Sequence, residues 1–158
     1  MAGVPRSPMM LVLSPTRELA MQTQVVMEAA GKQCYIRSVC CYGGVPKWEQ
    51  KKALRWGVEV VVATPGRLKD LVAMGCVSLA GISYLVLDEA DRMFDMGFEP
   101  QVRSICDHVR PDRQCQLYSA TFKKRIGKYI KLGPILSPHF RKYPILSMCP
   151  QGQFGPFL

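Results

Sequence analysis

The stretch Ile82–Phe98, ISYLVLDEADRMFDMGF, decides the architecture. Its apolar run Tyr84-Leu85-Val86-Leu87 stops abruptly at two adjacent carboxylates, Asp88 and Glu89. The quartet 88–91 holds three acids and leads into a polar, helix-compatible segment. A short continuous apolar run bounded in this way reads as a strand buried on both faces, as in a parallel sheet covered by helices. Ligands of open α/β sheets bind at the carboxyl ends of the strands, so acids placed there are poised to meet a metal ion or a phosphate. Taken alone, the same four residues also read as a solvated acidic turn after a strand.

Working outward, the strand-then-helix unit repeats. Met9–Leu13 is a short apolar run bounded by Pro8 and Ser14-Pro15. Ser14 or Thr16 can cap a following helix, whose Leu19, Thr23, Val26 and Ala30 recur on one face until Gly31 stops it. Ile36–Cys41 is a second strand, turned by Gly43-Gly44, and Pro46 opens a basic helix over Lys47–Trp56 that ends at Gly57. Val58–Ala63 is a third strand, from which Thr64-Pro65-Gly66 launches a helix carrying Leu68, Leu71 and Val72 inward. The 82–98 stretch supplies the fourth strand, Pro100–Val109 a helix and Gln114–Tyr118 a fifth strand. Alternation of this kind predicts an α/β fold with a parallel sheet, right-handed crossovers and helices on both faces.

The chain has 158 residues, 48% of them hydrophobic and 21% charged, enough for one domain with its own core. No apolar run approaches a membrane span, and residues 1–8 lack the apolar core of a secretory signal, so no membrane association and an intracellular protein of nucleus or cytoplasm are expected. Seven cysteines without a C-x-x-C pair fit free thiols in a reducing compartment, and His108 and His139 lie too far apart to suggest zinc. The net charge of +9 is unevenly spread. Residues 1–112 carry 13 basic residues and all 12 acids, whereas 113–158 carry the other eight basic residues and no acid. Basicity therefore belongs to the tail, and a nucleic-acid reading of the remainder must rest on its motifs.

Those motifs sit at the strand-to-helix junctions. They are SPTRELA (Ser14–Ala20), YGG (Tyr42–Gly44), TPGR (Thr64–Arg67), DEAD (Asp88–Asp91) and SAT (Ser119–Thr121). Hydroxyls, glycine amides and arginines at helix N-termini suit phosphate oxygens, because backbone N–H groups and the helix dipole converge there. Each junction alone is an ordinary cap and turn. Together, in this order and spacing, they resemble a DEAD-box ATP-dependent RNA helicase, specifically the first of that family's two RecA-like domains, from about Met9 to Ile126. The text around Trp48–Gln50, Met96–Ile105 and Val109–Gln114 is similar to the spliceosome-associated branch.

The resemblance implies ATP and Mg²⁺ as cofactors and RNA as partner, with spliceosomal or ribonucleoprotein partners beyond it. Asp88 would hold Mg²⁺ on the ATP phosphates, usually through water, and Glu89 would orient and deprotonate the attacking water. Asp91 would pair with Ser119 or Thr121, in the Ser119-Ala120-Thr121 segment, coupling the nucleotide site to that strand. Pro15, Thr16, Arg17, Gly44, Thr64, Gly66 and Arg67 would line an RNA face that contacts phosphates and 2′-hydroxyls with little sequence preference. Trp48 and Trp56, eight residues apart on one helix, are expected to pack inward rather than stack on bases. Lys123-Lys124-Arg125 reads as a solvated helix face.

The family also uses a phosphate-cradling loop, G-x-x-x-x-G-K-[ST], and an upstream adenine-reading glutamine, and neither pattern occurs in these 158 residues. Nor is the second RecA-like domain, with its arginine finger, to be found. Residues 1–131 are thus expected to form a partial RecA-like domain, inactive by itself, and 132–158, with five prolines after Gly133, a poorly ordered tail. Because this class places the phosphate-loop strand beside the SAT strand, Gln114–Tyr118 is expected to be an exposed apolar edge prone to association. The alternative function is a noncatalytic RNA- or partner-binding half-domain.

Overall fold

A computed structural model describes residues 7–121 and, by backbone alone, the strand 140–144. The strands are β1 (Met10–Leu13), β2 (Ser38–Cys41), β3 (Val60–Ala63), β4 (Tyr84–Leu87), β5 (Gln114–Ser119) and β6 (Phe140–Pro144). The helices are α1 (Arg17–Cys34), α2 (Lys47–Arg55), α3 (Pro65–Ala73), α4 (Ala90–Asp95) and α5 (Glu99–His108). All strand pairs are parallel, in the order β2-β3-β1-β4-β5-β6.

Strand order and handedness together explain where each helix lies. The chain moves one way across the sheet from β1 to β2 and the opposite way in the later crossovers. Right-handed connections then send α1 to one face and α2 to α5 to the other. Packing agrees. Ala20 of α1 joins Val12, Val60, Val62 and Val86 in one buried cluster. On the opposite face Leu54, Leu68, Met93 and Ile105, one from each of α2 to α5, bury against a layer that includes Leu11, Leu85 and Leu117.

The central strands share one register, with Leu13 opposite both Ala63 and Leu87. Backbone bonds continue it past the strand ends: Ser14 donates to the Ala63 carbonyl, Thr64 to Cys41 and Asp88 to Leu13, at 2.9–3.0 Å. This brings SPTR, TPGR and DEAD to a single edge.

Several expectations are corrected. Helix α1 runs through Gly31 and ends three residues later, capped by Tyr35 in the left-handed conformation (φ 55°). Gly31 is needed for close approach, since a Cβ there would collide with the Ile36 carbonyl oxygen. The buried stripe of α1 is Ala20, Gln24 and Gly31, and Val26 is exposed, because Gln24 Nε2 donates to Ser38 Oγ and Glu28 Oε1 and turns that side to β2. Trp48 and Trp56 do not pack inward, being 61% and 75% exposed, because α2 buries Gln50 and Leu54 instead.

The edge expected at Gln114–Tyr118 is not open either. β6 pairs with β5 in parallel from Cys115↔Phe140 to Ser119↔Pro144, satisfying backbone groups that an open edge would expose. The sequence hid this strand because it is five residues long, holds two cations and ends on proline, a composition suited to a sheet edge. Association through β5 thereby loses its cause. The remainder of the 132–158 tail and the Lys123-Lys124-Arg125 run lie outside the described residues.

Candidate functional site

Asp88 and Glu89 follow β4 directly, and the chain turns sharply there. Glu89 adopts φ 46° and ψ 52°, a left-handed conformation that costs a non-glycine residue about 1–2 kcal/mol. Its amide donates to Asp88 Oδ1 at 3.0 Å, and its own carboxylate pairs with Arg92 Nη1 at 3.2 Å. Burial pushes the Asp88 carboxyl above its ordinary range; the Glu89 amide works against that shift and the Glu89 charge adds to it. Among the described residues Asp88 thus has no cationic partner, in a place where ionisation is costly.

Three residues on, Asp91 has the opposite setting. Its Oδ2 accepts from the Thr121 hydroxyl at 2.8 Å and the Thr121 amide at 2.9 Å, while Ser119 Oγ donates to the Thr121 carbonyl at 2.8 Å. Burial opposes the ionised form of Asp91, but the bonds from Thr121, the Arg92 amide and Ser119 outweigh it and hold the carboxyl below its ordinary range. Ser119 is fully buried, and Ala120 and Thr121 are exposed. The DEAD and SAT segments therefore meet through Asp91 and Thr121.

Along the same edge, Pro15 is buried and Thr16 caps α1 by accepting from the Leu19 amide at 3.3 Å. Arg17 is exposed, pairs with Glu18 and faces the neighbouring loop, where a Cβ at Gly44 (φ 82°) would lie 3.6 Å from its Nη1. Thr64 and Gly66 are half-buried, and the Thr64 side chain makes no capping bond to α3. Arg67 is set apart from this group. It is buried, with Nη1 donating to Gln50 Oε1 at 3.0 Å and Nη2 to the Val45 carbonyl at 2.9 Å, so its guanidinium holds the Gly43–Val45 loop rather than facing outward.

Sequence reasoning missed Gln50, whose Nε2 also donates to the Tyr42 carbonyl at 3.1 Å and completes this brace. Its signal was the i, i+4 spacing with Leu54, which marks the inward side of α2. Arg92, the partner of Glu89, was also missed, and its signal was the i, i+3 spacing of a helical ion pair. The buried Ser14 hydroxyl, one residue past β1, has no partner among the described residues.

Beside Asp88, Met10, Thr23, Met27, Tyr84 and Tyr118 help to line a groove of about 320 Å³ between α1 and the sheet. Among the described residues no three His, Cys, Asp or Glu side chains gather to hold a metal ion. The donor set nevertheless fits Mg²⁺, which commonly takes one or two carboxylates and completes its shell with water and phosphate oxygens. No described helix is long and apolar enough to cross a membrane.

Comparison with known proteins gives a consistent set of relatives. A family model described as DEAD/DEAH box helicase matches residues 3–129. ATP-dependent RNA helicase DBP2 of Scheffersomyces stipitis is 56% identical over 119 residues, 75% of this chain and 22% of that protein. ATP-dependent RNA helicase DDX42 of Homo sapiens is 57% identical over 121 residues, 77% of this chain and 13% of that protein. The crystal structure of the yeast DEAD-box splicing factor Prp28 matches 78% of this chain and 30% of its own, with TM-score 0.73 and 34% identity. The chain spans about a fifth or less of the length of these curated relatives.

Proposed function

The chain belongs to the DEAD/DEAH box helicase family, and on that premise we propose that its strand-end edge is the nucleotide- and RNA-facing part of an ATP-dependent RNA helicase. The observation supporting this reading is the gathering of SPTR, TPGR and DEAD at one edge by a shared register, with Asp91 bonded to Thr121. When bound, Mg²⁺-ATP supplies the transferable phosphoryl group and the ion that neutralises its charge. Asp88 would hold the ion, directly or through water. Glu89 would accept the proton of the attacking water once it lets go of Arg92, and the exposure of that arginine makes release easy. Arg17, Gly44, Thr64 and Gly66, with Pro15 and Thr16 behind them, would contact the RNA backbone, and Arg67 would act by bracing the Gly44 loop. Spliceosomal or ribonucleoprotein partners, in nucleus or cytoplasm, follow from the same reading; the structural relative Prp28 is itself named a splicing factor.

A second reading has its own observation. The 158 residues contain no G-x-x-x-x-G-K-[ST], so Asp88 and Glu89 have no lysine and loop amides to hold a triphosphate against them. We propose that this polypeptide alone neither binds ATP tightly nor unwinds RNA, and that it behaves as a binding half-domain of a catalytic family. Titration with a fluorescent ATP analogue and Mg²⁺ is expected to show no saturable binding at micromolar concentrations. Micromolar binding abolished by Asp88→Ala would sink the idea.

A further inference from the structure

Helix α2 presents two contrasting sides. Gln50 and Leu54 are buried toward the sheet. Trp48, Lys51, Lys52, Arg55 and the capping Trp56, spaced i, i+3, i+4, i+7 and i+8, form the other stripe and border a notch of about 340 Å³. Both indoles are largely in water, which is unusual for the largest apolar side chains of a chain that has only two tryptophans. Among the described residues Lys51, Lys52 and Arg55 make no ion pair, while Lys47 is taken by Asp70. Arg37 adds a further cation at the far end, its Nη1 donating to the Trp56 carbonyl at 3.3 Å, although its charge is shared with Glu59. The acid on α2 is Glu49, in the first turn.

Two exposed aromatic faces about 12 Å apart along a helix axis, with unpaired cations between them, match a strand of unstacked bases joined by phosphates. An acidic peptide would engage the cations and leave the indoles unused. We propose that this face of α2 is an accessory single-stranded RNA patch, with Trp48 and Trp56 stacking on bases and Lys51, Lys52 and Arg55 meeting phosphates. Its position in the chain follows the edge described above: α2 starts three residues after Gly44, whose loop Arg17 faces, and the helix carries the patch back toward the opposite edge of the sheet. The choice of RNA rests on the proposed helicase reading; the stacking and phosphate chemistry rest on α2 alone.

Because both tryptophans of the chain lie in the patch, intrinsic fluorescence reports on it directly. Titrating the full chain with an oligouridylate of about 12 nucleotides is expected to quench the indoles saturably, with an affinity that falls steeply with salt. In parallel, anisotropy of the same RNA carrying a fluorescein label should show binding weakened about tenfold or more by W48A/W56A and largely restored by W48F/W56F. Arg17→Ala should weaken anisotropy-detected binding while quenching persists, and an indifferent Arg17→Ala with quenching intact would count against the edge reading alone. Absence of quenching where anisotropy saturates overturns the patch. So does polyglutamate that quenches as strongly as the RNA, which would make this face an acidic-peptide site.

Discussion

The two faces of the sheet are built very differently. On one, α2 to α5 cover β1, β3, β4 and β5, and Leu11, Leu13, Leu85, Leu87, Cys115 and Leu117 are essentially inaccessible. On the other, α1 is the one described helix, and Tyr84, Tyr118, Met10 and Met27 stay partly exposed around the groove that reaches Asp88. The four-helix side holds the fold. The α1 side holds a carboxylate whose ionised form the fold disfavours, a pattern expected where a site is organised for something other than stability.

The largest effect that can test this contrast comes from neighbouring residues of β4 that point to opposite faces. Leu85→Ala, on the four-helix side, is expected to cost about 3 kcal/mol in denaturant unfolding. Val86→Ala, on the α1 side, should cost less than half of that, and equal losses would erase the distinction. Next comes the brace at the rim of the four-helix face. Arg67→Ala leaves the buried Gln50 Oε1 without its donor, for about 1–3 kcal/mol, and Arg67→Lys should recover only part of it, since one ammonium cannot reproduce the fork to Gln50 and Val45. Both are read by the midpoint of thermal unfolding followed by circular dichroism.

The smallest effects concern the two aspartates and have opposite signs. Folding holds the Asp91 carboxyl below the ordinary 3.8, so its stabilising contribution is complete above that pH and is lost as pH falls through the depressed native value. Asp88 is raised above 3.8, so folding favours its protonated form, and stability declines as pH rises from 3.8 through the native value. At neutral pH, Asp91→Ala should therefore lower the unfolding midpoint by the equivalent of about 1 kcal/mol, the worth of its bonds to Thr121. Asp88→Asn should raise it. A loss of stability in Asp88→Asn would show that the acid serves the fold after all.

Much of this molecule was legible in the residues. Tyr84–Leu87 is a strand over the expected bounds, and the other four expected strands differ only at their ends, because short β-branched or leucine-rich runs between glycine and proline have few alternatives in a covered parallel sheet; β6 was not foreseen. The motif junctions could be placed at strand ends for the same reason. What went unseen depends on contacts between distant segments. The side of α1 that faces β2 is chosen by Gln24 reaching Ser38, and the side of α2 by Gln50 receiving Arg67, so hydrophobic periodicity pointed to the wrong residues in both helices.

By itself the sequence determined the family, the parallel α/β sheet and the residues available for chemistry, since each is written in short-range pattern and motif spacing. Only the tertiary structure decided that burial raises the Asp88 carboxyl above its ordinary range while the bonds from Thr121 hold that of Asp91, three residues away, below it. It also decided that Arg67 is a brace and that the two tryptophans face water. Burial and hydrogen bonding across 17 to 30 residues of chain set these outcomes, and no local pattern carries that information.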